Sequence, residues 1–296
     1  MEFLRPATWD EALALKAELP LAVPIAGGTD VMVELNFDRR RPPALLDLGG
    51  VAELGRWESD GAVVRLGASV PYARIIEELS APLPGLALAA RTVGSPQIRN
   101  RGSVGGNLGA ASPAGDSHPP LLAAGRGVQV EAASVRGTRL IPIDAFYLGV
   151  KRHALEPDEL IRAVRIPVAD GPQQFSKIGT RNAMVIAVCA FALALHPDDR
   201  TVGTGLGSAA PTPRRAVAAE EFLAAALSEG GLWESGGALD DAVVRRFGEL
   251  VAAAASPIDD VRGSAQYRRH ALAVMARRTL AWCWAEYGER LERSAA

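Results

Sequence analysis

Residues 94–120 read GSPQIRNRGSVGGNLGAASPAGDSHPP, with six glycines and four prolines in 27 residues. Such a composition forbids a long helix. With histidine neutral, only Arg99, Arg101 and Asp116 carry charge, so the stretch offers bare backbone and not a charged surface. Within RGSVGGN, Gly105 and Gly106 have no side chain to resist positive φ. They can turn successive N–H groups toward one anion, with Ser103 and Asn107 as side-chain donors around them. AGGTD at 26–30 repeats the arrangement: Gly27 and Gly28 bare the backbone and the Thr29 hydroxyl adds a donor. A single glycine pair is an ordinary tight turn. Two such loops suit a pyrophosphate. Asp30 and Asp116 are too acidic to face phosphate and are expected either to accept hydrogen bonds from hydroxyl or ring N–H groups or to cap backbone amides.

A third glycine run, GTGLGS at 203–208, falls short of a dinucleotide fingerprint. Ser208 holds the sixth position and AAPTPRR follows, so no helix start is in place to receive a phosphate. No G-x-x-x-x-G-K-[ST] occurs. The 32 basic and 34 acidic side chains leave a net charge of −2 with no long block of one sign, which argues against nucleic acid. Cys189 and Cys283 lie inside apolar segments and read as buried small hydrophobes. His118, His153, His196 and His270 are scattered and read as surface or structural, so no metal site is expected. The longest apolar run, AMVIAVCAFALAL at 183–195, is thirteen residues, short of the ~18 of a membrane span. The chain starts without a basic and then apolar leader, and the expected location is the cytoplasm.

Thr8 and Glu11 fit a capping box opening a helix from Trp9 toward Leu19, which Pro20 stops. LAVPI, ALLDLGG and GAVVRLGAS read as short strands, PYARIIEEL and LPGLALAARTV as helices, and GVQVEAASVRGTRLIPI as a hairpin around Arg136 and Gly137. ADGPQQ marks a boundary near 170–173. Beyond it, FSKIG, AMVIAVCAFALAL and RTVGTGLGSA give three strands, then three helices follow, which is an α+β order. In the last helix Leu272, Met275, Thr279 and Trp282 repeat as a core stripe. Trp282, Trp284 and Tyr287 together exceed what one stripe buries and are candidates for a partner-facing surface.

AGGTD, SPQIRNRGSVGGNLGAASPAGDSHPPLLA and DDVRGSAQYRRHALAVMARR together resemble the FAD-binding medium subunit of the molybdenum hydroxylases, the xanthine dehydrogenase and aerobic carbon monoxide dehydrogenase family. The resemblance implies a vanillyl-alcohol-oxidase-type FAD domain over residues 1–172, in two α/β subdomains of about 1–56 and 57–172. A C-terminal domain over 173–296 would combine a three-stranded antiparallel sheet with a helical bundle. Carried over, Ala26, Gly27, Gly28, Thr29 and Asp30 form one pyrophosphate loop, and Ser103, Gly105, Gly106 and Asn107 the other. Asp116 lies beside the ribityl or adenosine part and Ile161 against the flavin ring. Lys177 lies at the ring's polar edge, where it tunes the reaction. FAD would be held without a covalent link and would pass electrons from a partner's [2Fe-2S] clusters to NAD, oxygen or a quinone. A large subunit with the molybdenum cofactor and a small subunit with two [2Fe-2S] clusters complete a heterotrimer, doubled by a two-fold axis. Its substrate would be a purine, another N-heterocycle or a similar compound. The alternative is a self-contained flavin oxidase of the same fold.

Overall fold

The computed structural model describes residues 1–125 and 127–295. The chain begins β1 (Glu2–Leu4), α1 (Trp9–Glu18), β2 (Val23–Ile25), α2 (Val31–Asn36) and β3 (Ala44–Asp47). A variant of the capping box forms: Thr8 Oγ1 accepts from Glu11 N–H, and the Glu11 carboxylate accepts from Ala7 N–H, one residue before the N-cap. The three strands pair in parallel in the order β1-β3-β2. Next come β4 (Trp57–Ser59), β5 (Val63–Gly67), α3 (Tyr72–Glu78), α4 (Pro84–Thr92), α5 (Pro96–Arg99), α6 (Val104–Ala110) and α7 (His118–Ala123). They are followed by β6 (Gln129–Ser134), β7 (Gly137–Pro142), α8 (Ile143–Phe146), β8 (Tyr147–Gly149), β9 (Arg152–His153) and β10 (Leu160–Pro167). A five-stranded antiparallel sheet runs β4-β5-β10-β6-β7.

The C-terminal part holds β11 (Gln173–Ile178), β12 (Cys189–His196), β13 (Thr201–Gly207), α9 (Val217–Glu229), α10 (Leu232–Ser235), α11 (Asp241–Ala254) and α12 (Ala265–Ala295). Its sheet is antiparallel in the order β11-β12-β13, with the helices after it. Packing divides the chain into two compact units that interleave in sequence. The first holds Met1–Glu78, Val93–Ser112 and Arg126–Val168; the second holds Leu79–Thr92, Pro113–Gly125 and Ala169–Ala296. Thus α4 and α7, although early in the chain, pack in the second unit.

The alternation of CAFALAL explains how. On β12 the large side chains Phe191, Leu193 and Leu195, with Cys189, enter the core shared with α9, α11 and α12. Ala190, Ala192 and Ala194 point to the other face, against Ala89 of α4 and Ala123 of α7. Opposite those alanines in the ladder stand Gly207, Gly205 and Gly203. A Cβ at Gly203 would stand 2.0 Å from the Ala123 carbonyl oxygen and one at Gly205 2.0 Å from that of Pro119. The GTGLG run is therefore a smooth seat for α7.

Four readings change. The glycine-rich stretch contains three short helices, α5, α6 and α7, because Ser95 and Ser103 each cap a first turn through the side-chain oxygen. Gly105 and Gly106 are helical and not at positive φ; of the four glycines in the two loops only Gly28, φ 74°, needs the left-handed region. Strand β12 starts at Cys189, and residues 181–186 before it form a largely exposed loop closed by Arg181 onto the Ala183 and Met184 carbonyls. Finally, Trp282 is 52% exposed and leaves the core stripe, whereas Trp284 and Tyr287 are buried against Trp233. Tyr287 donates to Trp233 O at 2.6 Å and Trp284 to Gly237 O at 2.8 Å, so these two rings serve the core and not a partner surface.

Candidate functional site

In the first unit the two glycine loops meet. Ala26, Gly27, Gly28, Thr29 and Asp30 connect β2 to α2, and Gly102 and Ser103 lead into α6. A Cβ at Gly27 would fall 1.9 Å from the Arg101 carbonyl oxygen, so the loops are in backbone contact there. Gly105 is bare for a similar reason, since a Cβ would lie 2.4 Å from Ala68 O. Gly28 supplies the positive φ that turns the chain into α2. Asp30 precedes α2 but its exposed carboxylate caps no amide. Ser103 Oγ accepts from Gly106 N–H at 3.1 Å, which leaves its O–H to donate elsewhere.

Two glycines of α6 have no such explanation. Gly106 and Gly109 are exposed, three residues apart, and neither has positive φ. A Cβ at Gly106 would meet only Ser103 Oγ, at 3.4 Å, and one at Gly109 nothing within 4 Å. The fold would accept alanine at both, with a gain in helix propensity. Bare backbone on an outer helix face, beside a second glycine loop, fits close approach by a ligand such as a dinucleotide diphosphate.

Ile161 also lies in this unit, buried on β10, where the pairing with β6 slips between Ile161 and Ala163. On its other side the ladder with β5 continues, as Arg162 O accepts from Ala68 N–H and fixes the residue on which Gly105 rests.

In the second unit Asp116 and Lys177 form an ion pair at 2.6 Å, with side chains 8% and 7% exposed. Lys177 Nζ also donates to Thr92 O at 3.2 Å, and Thr92 Oγ1 stands 3.4 Å from Asp116 Oδ2. Asp116 Oδ1 is buried with no hydrogen-bond partner. Burial pushes the Asp116 carboxyl above its ordinary value, a penalty that the Lys177 charge opposes. An orphaned acceptor of this kind fits a hydroxyl or N–H of a ligand. Thr92 was not legible as a site residue, because only packing brings the end of α4 to Asp116. The RGSAQYRR signature is structural: Arg268 is buried and binds the carbonyls of Val188 and Ser208 and the Asp260 carboxylate. Among the described residues no group of three or more His, Cys, Asp or Glu is placed to hold a metal ion, and no helix is long and apolar enough to cross a membrane.

Known proteins resemble this chain over nearly its whole length. The family described as "FAD binding domain in molybdopterin dehydrogenase" matches residues 1–169, and "CO dehydrogenase flavoprotein C-terminal domain" matches 174–283. The chain is 29% identical to the xanthine dehydrogenase FAD-binding subunit of Escherichia coli O157:H7, over 97% of each chain. It is 31% identical to the nicotine 6-hydroxylase medium subunit of Paenarthrobacter nicotinovorans, over 95% of this chain and 96% of that one. A solved carbon monoxide dehydrogenase chain from Hydrogenophaga pseudoflava superposes with a TM-score of 0.85 at 28% identity, covering 97% of this chain and 98% of the other. The expected fold class holds, from the FAD domain to the small antiparallel sheet and its helices. With its glycine loops, its bare α6 face and these matches, this chain belongs to the family of FAD-binding medium subunits of the molybdenum hydroxylases and is an oxidoreductase subunit.

Proposed function

We propose that the chain holds FAD non-covalently and passes electrons from a partner's [2Fe-2S] clusters to an external acceptor, NAD, oxygen or a quinone. The substrate, a purine, another N-heterocycle or a similar compound, would be hydroxylated on a large partner subunit that carries the molybdenum cofactor. The small partner would carry two [2Fe-2S] clusters, and the assembly would be a cytoplasmic dimer of heterotrimers. The observation that carries the reading is the exposed pair Gly106 and Gly109, bare without any demand from the fold.

Bound FAD supplies the redox chemistry itself. The residues of the chain hold and orient it. Ala26, Gly27, Gly28, Thr29 and Asp30 form one edge of the diphosphate cradle and Ser103, Gly105, Gly106 and Asn107 the other. Thr29 and Ser103 have hydroxyl protons to donate. Ile161, in the first unit, offers apolar surface to the ring; in the second unit, Asp116 Oδ1 is an acceptor suited to a hydroxyl or N–H. Because Asp116 balances its charge, Lys177 is suited to serve a ligand as an oriented hydrogen-bond donor more than as a net cation. Functionally the chain divides into a FAD domain over 1–172, with subdomains of about 1–56 and 57–172, and a C-terminal domain over 173–296.

The test is Gly106→Ala. Its methyl fits the fold, so melting should hold or rise, while FAD affinity falls at least tenfold as the methyl meets the cofactor. Unchanged affinity would refute the cradle. Substrate should bleach the flavin only after the molybdenum and iron–sulfur subunits are added; bleaching by the isolated chain would favour the self-contained oxidase.

A further inference from the structure

We infer that Lys151 is a positioning residue for the diphosphate cradle, clamping the far ends of the two helices whose near ends carry the glycine loops. The inference rests on the FAD reading above and adds a residue that neither glycine loop contains. Lys151 sits in the turn between β8 and β9 at φ 55°, a left-handed conformation costly for a residue with a side chain. Its backbone N–H donates at 3.2 Å to the carbonyl of Ala111, which ends α6 and is itself left-handed at φ 44°. Its ammonium donates at 2.6 Å to Glu34 of α2. One residue therefore grips the C-terminal end of α6 with its backbone and α2 with its side chain.

At the other end the two loops touch directly, Gly27 against the Arg101 carbonyl. Loop contact and Lys151 clamp close a frame around the space between α2 and α6. The frame matters most for α2. Six residues are too few for a helix to be stable alone, and α2 contains no buried residue. Only Val31 and Leu35 lean on the small cluster of Val23, Ile25 and Leu45. The Lys151 hydrogen bond holds the Glu34 carboxyl below its ordinary value, and Arg40, 3.9 Å away, adds to the effect. With so little packing, the tie to Lys151 sets how steadily α2 presents Gly27, Gly28 and Thr29.

The deflavinated full chain, titrated with FAD and followed by flavin fluorescence, tests this. Lys151→Met should raise the FAD dissociation constant about three- to fivefold. Lys151→Arg should restore it. Lys151→Gly should match Lys151→Met, since glycine keeps the amide donor and relaxes the left-handed turn, so a loss cannot be laid to misfolding. Glu34→Gln combined with Lys151→Met should be no worse than either alone, as expected of one shared interaction. Gly106→Ala, run in parallel, separates the two readings. Wild-type affinity in Lys151→Met and Lys151→Gly, with Gly106→Ala weakened, would overturn the clamp and leave the cradle standing. Wild-type affinity in Gly106→Ala as well would overturn both.

Discussion

A Cβ on Gly205 would stand 2.0 Å from the carbonyl oxygen of Pro119, a distance no pair of heavy atoms tolerates without a bond. This contact seats α7 on the Gly203, Gly205 and Gly207 face of β13, with Ala190, Ala192 and Ala194 beside it on β12. Asp116 lies just before α7 and Lys177 on β11 of the same sheet, so the seat also sets the geometry of the ion pair. Gly205→Ala should cost about 1–3 kcal/mol or more through overpacking, read by urea denaturation. It should destabilise far more than Gly106→Ala, although both replace one glycine of a glycine-rich run.

Lys177→Met leaves the Asp116 carboxylate buried without its cation. The expected loss is about 3–5 kcal/mol, as for other buried pairs broken on one side. Adding Asp116→Asn should recover most of it, because the remaining groups are then neutral. Equal stability of the single and double variants in chemical denaturation would show that Asp116 finds another partner.

His196 faces two acceptors: Asp170 Oδ1 at 3.1 Å from Nδ1 and the Ala123 carbonyl at 3.1 Å from Nε2. Only the doubly protonated ring donates to both. Burial opposes that charge, but the bonds to Asp170 and Ala123, with the further charge of Asp199, outweigh it and raise the pKa above 6.5. A raised folded value means the stabilisation is complete below the unfolded value and is lost as pH rises through the folded one. Wild type should therefore lose stability as the pH rises above the ordinary histidine value of 6.5, by a step that His196→Phe lacks. An NMR titration of the ring with its pKa below 6.5 would contradict this.

Tyr287→Phe removes the 2.6 Å bond to Trp233 O and strands a buried carbonyl, so about 1–3 kcal/mol should be lost. Trp282→Ala, at an exposed site, should stay within about 0.5 kcal/mol in the isolated chain. A larger loss there than at Tyr287 would return Trp282 to the core.

Local chemistry made much of this chain legible. The α1 cap, the hairpin of β6 and β7 and the presence of three strands ahead of the C-terminal helices follow from residues close in sequence. Both glycine loops were also visible, but their conformation was not. Sequence suggested positive φ at Gly105, whereas the position is helical and bare because Ala68 crowds it. The aromatic residues of α12 misled for a related reason: helical spacing tells which residues share a face, not what lies opposite. Trp233, about fifty residues earlier in the chain, completes the cluster that buries Trp284 and Tyr287.

By itself the sequence determined where backbone is bare, where α1 begins and where the hairpin of β6 and β7 turns, since each depends on the steric limits of single residues and their near neighbours. Only the tertiary structure decided which bare positions the fold consumes. Gly27, Gly105, Gly203 and Gly205 are filled by backbone from distant segments, while Gly106 and Gly109 stay open. It also decided that Asp116 would meet Lys177, 61 residues on, and that Lys151 would reach Glu34, 117 residues back. The physical reason is common to all of these: close packing brings together groups that no local rule relates, and a glycine's role depends on what fills the space its missing side chain leaves.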